Sequence, residues 1–192
     1  MASVLYFQSM QLPHIQQEGF LLRPWDPTDA AALVKHANNP GIAANLRDGF
    51  PHPYTPGDAR KWLEMAEKNT EDVILAIEVR GEAAGGIGLH GMKDVYRYNC
   101  EIGYWLSAAH WGKGIMTRAV GATVRFAFEE TPWLRLFACI FENNPASMRV
   151  LEKNGFFLEA IHRKAVMKGG KLMDEHLYAL LKDQWSSRSS VG

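Results

Sequence analysis

The stretch between residues 99 and 130 constrains the fold of this chain more than any other. Residues 99–106 are mostly apolar, as in a strand, and residues 114–130 repeat apolar side chains at the spacing of a helix with one broad buried face. Only a short turn containing Gly112 and Gly114 separates the two. A strand that runs through a glycine turn into a long helix predicts a domain that mixes α and β structure.

The rest of the chain alternates between the strand period and the helix period. Strands are predicted at residues 20–25, 73–80, 83–89, 134–141, 156–167 and 171–181. Further helices are predicted at residues 30–37, from residue 55 onward and at residues 145–154. The resulting order is βααβββαβαββ, and its antiparallel start and end argue against a fully parallel sheet. We therefore predict a single mixed α/β domain.

The amino-acid composition argues against some classes of binding partner. The 192 residues include 21 Lys and Arg against 21 Asp and Glu, so there is no basic excess to attract nucleic acid or an anionic membrane. No apolar run reaches the roughly 18 to 20 residues that cross a bilayer. Cys100 and Cys139 lack C-x-x-C spacing and are expected to be free thiols, which indicates a cytoplasmic protein.

The two ends of the chain are expected to lie outside the domain. Residues 1–9 resemble the remnant of a cleavable expression tag. The polar residues 186–192 are typical of a frayed, disordered tail. The domain is therefore predicted to span residues 10–185.

The glycine turn predicts an anion site. The first amides of a helix have no partner within it and carry partial positive charge, so a phosphate or pyrophosphate can bind there. Glycine at positions 112 and 114 lets the backbone approach the anion, and Lys113 could add charge. The alternative is a tight connection without a ligand. A second glycine pattern, residues 86–91, matches G-x-G-x-x-G but precedes no helix, which argues against a dinucleotide-binding unit.

Three motifs in this order resemble the GNAT superfamily of acyl-CoA-dependent N-acetyltransferases. They are Glu101-Ile-Gly-Tyr-Trp-Leu, Trp111-Gly-Lys-Gly and the run Asn144-Pro-Ala-Ser-Met-Arg-Val-Leu-Glu-Lys-Asn-Gly-Phe. The branch that the chain resembles most is the ribosomal-protein N-terminal acetyltransferases of the Rim type, over residues 20 to about 185. The resemblance implies a GNAT fold with a mostly antiparallel central sheet and splayed central strands.

The resemblance also implies acetyl-CoA as cosubstrate and a set of residues that bind it. The pyrophosphate is expected on the amides that follow the glycine turn, and the pantetheine arm along the preceding strand. The implied cofactor residues are Tyr104, Trp105, Leu106, Trp111, Gly112, Lys113, Gly114, Ile115, Met116, Thr117, Asn144 and Ser147. For Asn144, which precedes a proline, the residues alone also predict a helix N-cap, and both roles are compatible.

Amide formation from a thioester needs a proton acceptor for the amine and a proton donor for the thiolate. Glu101, a carboxylate in an apolar strand, matches the base of Rim-like relatives, although it could instead point to solvent. Many family members carry a Tyr acid where this chain has Leu151, but the Rim-like branch uses the equivalent of Ser147 instead, so the resemblance implies Ser147 as the candidate acid. No metal is expected, because the seven histidines show no paired ligand spacing. Cys139 is interpreted as a core residue, which favours direct attack in a ternary complex over an acyl-cysteine.

The acceptor is a primary amine whose identity stays open: a protein N-terminus, a polyamine, an aminoglycoside or an amino acid. In relatives the loop between the first two helices and the final hairpin turn wall this site. The candidates here are Arg47, Phe50, His52 and Tyr54, although the aromatics could instead pack the loop onto the domain. A CoA-binding sensor without turnover and a pure interaction domain are alternative functions. Monomer and homodimer are both compatible with the sequence.

Overall fold

A computed structural model describes residues 12–189, which form one eight-stranded sheet with helices on both faces. The predicted tag remnant at residues 1–9 lies outside this range. In chain order the strands are β1 Ile15–Gln17, β2 Phe20–Pro24, β3 Val73–Val79, β4 Glu82–Gly91, β5 Asn99–Leu106, β6 Arg135–Phe141, β7 Phe157–Lys168 and β8 Lys171–Leu181. Their spatial order is β1-β2-β3-β4-β5-β6-β8-β7.

Six α-helices lie among residues 12–189. They are α1 Ala30–Ala37, α2 Pro40–Ala43, α3 Pro56–Lys68, α4 Ile115–Glu130, α5 Pro145–Lys153 and α6 Lys182–Ser189. The apolar faces of α4 and α5 pack on one side of the sheet in the main hydrophobic core. A second apolar cluster on α1 and α3 also includes Tyr54 and Trp105. The prediction of a mixed α/β domain with a mostly antiparallel sheet is confirmed.

The centre of the sheet is split. Strands β5 and β6 form the parallel pair of the sheet, and they pair only where residues 99–101 lie beside residues 135–137. Beyond that point β5 continues to Leu106 along β4, whereas β6 continues along β8 to Phe141. The two central strands therefore diverge and leave a wedge-shaped opening, which confirms the predicted splay.

Three elements differ from the pattern predicted from sequence. A short strand, β1, extends the sheet before β2. Residues 38–41 end α1, with Asn38 as its C-cap, and also start α2, a helix that was not predicted: the Asn39 side chain accepts hydrogen bonds from the amides of Gly41 and Ile42, with Pro40 at the first helical position. A proline there costs nothing, because that amide has no helical partner. Helix α6 reaches Ser189, within the segment expected to be a tail.

Strand β6 has a nearly unbroken apolar sequence, which is typical of a strand covered on both faces, but only one of its faces is fully covered. Leu136, Ala138 and Ile140 are buried on the α4 side, whereas Phe137 and Cys139 on the opposite face are only partly covered. That face lies at the wedge between β5 and β6 and is therefore only half packed. Among the described residues, no helix has both the length and the apolar character to span a membrane.

Two leucines of the same segment provide a matched test of the core. Leu136 is fully buried, whereas Leu134 is 52% exposed. We expect Leu136→Ala to lower the free energy of unfolding by about 2–5 kcal/mol, because it leaves a cavity in the close-packed core. Leu134→Ala should change it by less than about 0.5 kcal/mol. Urea denaturation followed by circular dichroism measures both, and equal losses would contradict the burial described above.

Candidate functional site

A cavity of about 1110 Å³ opens from the wedge between β5 and β6. The open end of β5 and the first turns of α4 and α5 form one part of its wall. The segment from α2 to Tyr54 and helix α3 form the other part. The cavity therefore runs from the glycine turn, past the split in the sheet, to the face of the sheet covered by α1 and α3.

The glycine turn presents free backbone donors to this cavity. Gly112 and Gly114 have φ values of +73° and +71°, a left-handed conformation that favours glycine. The first amide of the turn to find a helical partner is that of Arg118, bonded to the Gly114 carbonyl at 3.1 Å. Within residues 12–189, the amides of residues 112–117 have no hydrogen-bond partner and no side chain caps them. The predicted anion site is thus structurally available.

The side chains on either side of Gly112, those of Trp111 and Lys113, point to different surroundings. The Trp111 indole donates a hydrogen bond to the Leu106 carbonyl at 2.8 Å and lines the cavity. Lys113 instead donates from its ammonium to the Ala109 carbonyl at 2.7 Å and does not line the cavity. In this structure the lysine therefore stabilises the turn, and the anion site is built of backbone groups.

The start of α5 brings a hydroxyl pair to the cavity. Asn144 is the N-cap, and its side chain accepts from the Ser147 amide at 3.1 Å, as its position before a proline predicts. The Ser147 and Tyr104 hydroxyls lie 2.8 Å apart across the split in the sheet. Burial raises the pKa of Tyr104 far above its usual value, and its hydrogen bond to Ser147 only partly offsets this. Tyr104 is therefore a protonated donor beside Ser147 at neutral pH.

Glu101 lies where β5 and β6 separate. Its side chain is 20% exposed and lines the cavity rather than pointing fully into solvent. One carboxylate oxygen accepts a hydrogen bond from Nη2 of Arg47 at 2.5 Å. Arg47 itself is 72% exposed, so this ion pair crosses the mouth of the cavity. The same loop is tied to the β7–β8 hairpin by a contact of 2.7 Å between Asp48 and the Lys168 ammonium.

Of the four predicted acceptor residues, three line the cavity and His52 lies outside it. The Phe50 ring lies 5.2 Å from the Tyr54 ring and 5.7 Å from the Trp105 ring, centroid to centroid, and all three line the cavity. Tyr54 is buried, and burial together with the nearby Asp58 raises its pKa to about 12. These aromatics therefore both pack the loop and shape the site. His52 is exposed and does not line the cavity.

Cys139 corrects an expectation from sequence. It was predicted to be a core residue, but it is half-buried and lines the cavity on the open face of β6. Its apolar neighbours in sequence hide this position, because the divergence of β5 from β6 exposes one face of an apolar strand. Burial, with the nearby Glu175 and Glu101 carboxylates, raises its pKa to about 12, so the thiol is protonated at neutral pH.

Several further polar residues of the cavity were not identified from the sequence, among them His90 on β4 and Glu175 on β8. The period of two along β4 could have placed His90 on one face with Gly86 and Gly88. The sequence does not show that β5 pairs with β4 so as to place Glu101 opposite His90. Within residues 12–189, no group of three or more His, Cys, Asp or Glu side chains could hold a metal ion.

Comparisons with known proteins agree on one family. Residues 20–157 match the family model described as "Acetyltransferase (GNAT) domain". The chain is 49% identical over 175 residues to the "Probable N-acetyltransferase YjcK" of Bacillus subtilis, covering 83% of this chain and 92% of that protein. It is 34% identical over 129 residues to the "Ribosomal-protein-serine acetyltransferase" of Escherichia coli, covering 66% and 72%.

A solved structure shows the same fold. The ribosomal L7/L12 alpha-N-protein acetyltransferase RimL, determined in complex with coenzyme A, superposes with a TM-score of 0.80 at 22% identity, covering 90% of this chain and 99% of that one. The sheet that splits between β5 and β6, the glycine turn and the matched family model lead to the same conclusion. The chain belongs to the GNAT family of N-acetyltransferases.

Proposed function

We propose that this protein transfers an acetyl group from acetyl-CoA to a primary amine by direct attack within a ternary complex. One observation carries the proposal: the unpartnered amides of residues 112–117 open into the same cavity that Glu101 lines. Free donors at the positive end of a helix fit a diphosphate. The carboxylate at the other end of the cavity fits an amine that must lose protons.

The cofactor-binding part of the proposal uses backbone groups. The amides from Gly112 to Thr117 would hold the diphosphate, and Trp111 would flank it. Beyond Glu101 the edge of β5 facing β6 has no strand partner, so the backbone of residues 104–106 can pair with the pantetheine arm. Acetyl-CoA supplies the activated thioester. Asn144 fixes the first turn of α5 and with it Ser147.

Proton movements are assigned to side chains on both sides of the split. The acceptor ammonium loses a proton to Glu101, directly or through water, before its nitrogen attacks the carbonyl. A free amide of the β5 edge near Trp105 or Leu106 would stabilise the oxyanion. The leaving sulfur takes a proton from Ser147, whose hydroxyl is positioned by its hydrogen bond to Tyr104 and takes up a proton again from water through the open cavity.

We infer a protein N-terminus as the acceptor class to test first. The support is the resemblance to proteins named for acetylating ribosomal proteins. The free thiols of Cys100 and Cys139 are compatible with the cytoplasm, where ribosomal proteins are found.

A calorimetric titration followed by an amine screen tests the proposal. Acetyl-CoA and CoA should bind, and pantetheine, which lacks the diphosphate, should bind far more weakly because it cannot use the amides of residues 112–117. Thiol release should then appear with at least one amine in a panel of peptides beginning in Ala or Ser, polyamines, aminoglycosides and amino acids. Binding without turnover would indicate a CoA sensor, and no binding an interaction domain.

The role of Glu101 predicts a change in the pH profile. Glu101→Gln removes the proton acceptor but keeps the shape, so kcat at pH 7 should fall by about 10²-fold or more. The loss should shrink at high pH, where the amine is already neutral. Steady-state kinetics between pH 6 and 10 measures this, with the exposed Glu129→Gln as a charge-matched control. An unchanged profile would remove Glu101 from this role.

Direct transfer predicts that the thiol in the cavity is dispensable. Because the pKa of Cys139 is about 12, little thiolate is available at neutral pH to attack the thioester. Cys139→Ala should therefore retain most of kcat, as should Cys100→Ala, a matched removal of the buried thiol. A loss of about 10³-fold for Cys139→Ala alone, together with an acyl-enzyme in mass spectrometry, would indicate a covalent route.

A further inference from the structure

We propose that His90, oriented by Asp72, is a second catalytic proton acceptor that acts beside Glu101 on the acceptor amine. The proposal rests on the acetyl transfer proposed above. It assigns a reaction step to a pair of residues that sequence patterns do not connect, since Asp72 precedes β3 and His90 lies near the end of β4.

The His90 ring is held by a carboxylate on one side only. Its Nδ1 lies 2.9 Å from Oδ2 of Asp72. A carboxylate only accepts hydrogen bonds, so Nδ1 carries the proton and Nε2 of the neutral ring has the free lone pair. Among the described residues Nε2 has no hydrogen-bond partner. Asp72 is itself fixed by Asn69, whose side chain exchanges hydrogen bonds with the Asp72 backbone at 2.6 and 3.3 Å.

The free nitrogen lies over the cavity. A Cβ atom added to Gly88 would meet Nε2 at 2.8 Å, so the ring lies over that glycine. Gly88 is paired with Gly103 on β5, where an added Cβ would meet nothing within 4 Å. Two neighbouring glycines thus leave a hollow in the floor of the cavity, and Nε2 is at its edge.

The register of the sheet places this ring beside the first base. His90 is the direct partner of Glu101 in the antiparallel β4–β5 pair, so their side chains leave the same face about 5 Å apart at Cβ. Glu101 is already engaged by the Arg47 guanidinium, whereas Nε2 is not engaged by any described group. An imidazole exchanges protons near neutral pH, which suits a base for an ammonium.

The stoichiometry of the reaction gives two bases distinct tasks. An ammonium must lose one proton before its nitrogen can attack and a second proton as the amide forms, while the C–S bond breaks and the sulfur takes up one proton from the Ser147 side. One proton therefore leaves the nitrogen to Nε2 of His90, and the other to the Glu101 carboxylate. Across the cycle, one proton passes to water and one to the thiol of CoA.

The other charged groups near His90 come from each neighbouring element. Asp72 contributes a carboxylate from the start of β3, Glu101 contributes another from β5, and Arg47 contributes a guanidinium from the loop. The remaining pair, Glu71 and Lys93, neutralises itself through a contact of 2.8 Å.

The test uses the intact chain and the best amine from the screen. His90→Ala should lower kcat/KM at pH 7 by about 10²-fold. The loss should shrink toward high pH, and added free imidazole should restore part of the rate. His90→Gln can still bond to Asp72 but cannot take up the proton, so it should be as slow as His90→Ala. Asp72→Asn should lower kcat by about tenfold or more, because it no longer fixes the tautomer.

Controls separate a catalytic from a structural role. Acetyl-CoA affinity by calorimetry and the free energy of unfolding should stay near wild type in all three variants. His162→Gln, which removes a ring paired through Nδ1 with Glu175 at 3.2 Å but not lining the cavity, should keep the wild-type pH profile. Unchanged kcat/KM and pH profile in the His90 variants, or no rescue by imidazole, would overturn the assignment.

The failure of this assignment can be told apart from the failure of the proposed function. If the wild-type protein acetylates an amine and the His90 variants do so equally well, only the assignment of His90 fails. If the wild-type protein binds acetyl-CoA but acetylates nothing in the panel, the proposed function fails and the assignment fails with it.

Discussion

The structure depends on hydrogen bonds that two neighbouring strands do not make. Strands β5 and β6 start as a parallel pair, but only three residues of each strand pair with the other. Past residue 101 each strand keeps its other neighbour, so the sheet stays intact on both sides while its centre opens. Buried backbone groups need partners. A free edge on β5 inside a cavity is therefore suited to an extended ligand that can supply them.

The glycine turn likewise leaves backbone groups unpaired, here at the start of helix α4. Left-handed backbone at Gly112 and Gly114 turns the chain into α4 without side chains over the first amides, so a row of donors remains free. The side chains beside the turn do not cover these amides. Trp111 and Lys113 donate hydrogen bonds to carbonyls that precede the turn, those of Leu106 and Ala109. Free donors at the turn and at the β5 edge, at two depths of one cavity, fit a long molecule with an anionic end.

The opposite end of the cavity holds the side chains to which we assign the proton transfers. Glu101 stands at the point where the strands separate, and Ser147 with Tyr104 lies on the far side of the opening. The loop with Arg47 and Asp48 crosses between β5 and the β7–β8 hairpin through two ion pairs. Both Arg47 and Asp48 are largely exposed, so these pairs add little stability and can exchange with solvent or with an acceptor.

The sequence alone predicts the order of the main elements, the glycine turn with its free amides and the N-cap at Asn144, because each follows from local periodicity or from the backbone preferences of single residues. It did not reveal α2, the open face of β6 that exposes Cys139, the position of His52 outside the cavity, or the pairing of His90 with Glu101 in the sheet. The exposure of Cys139 and the meeting of His90 with Glu101 depend on strand register and on where β5 and β6 part, and a shift of one residue would turn each side chain to the other face of the sheet. Only the tertiary structure fixes that register, since it is set by packing between segments far apart in the chain.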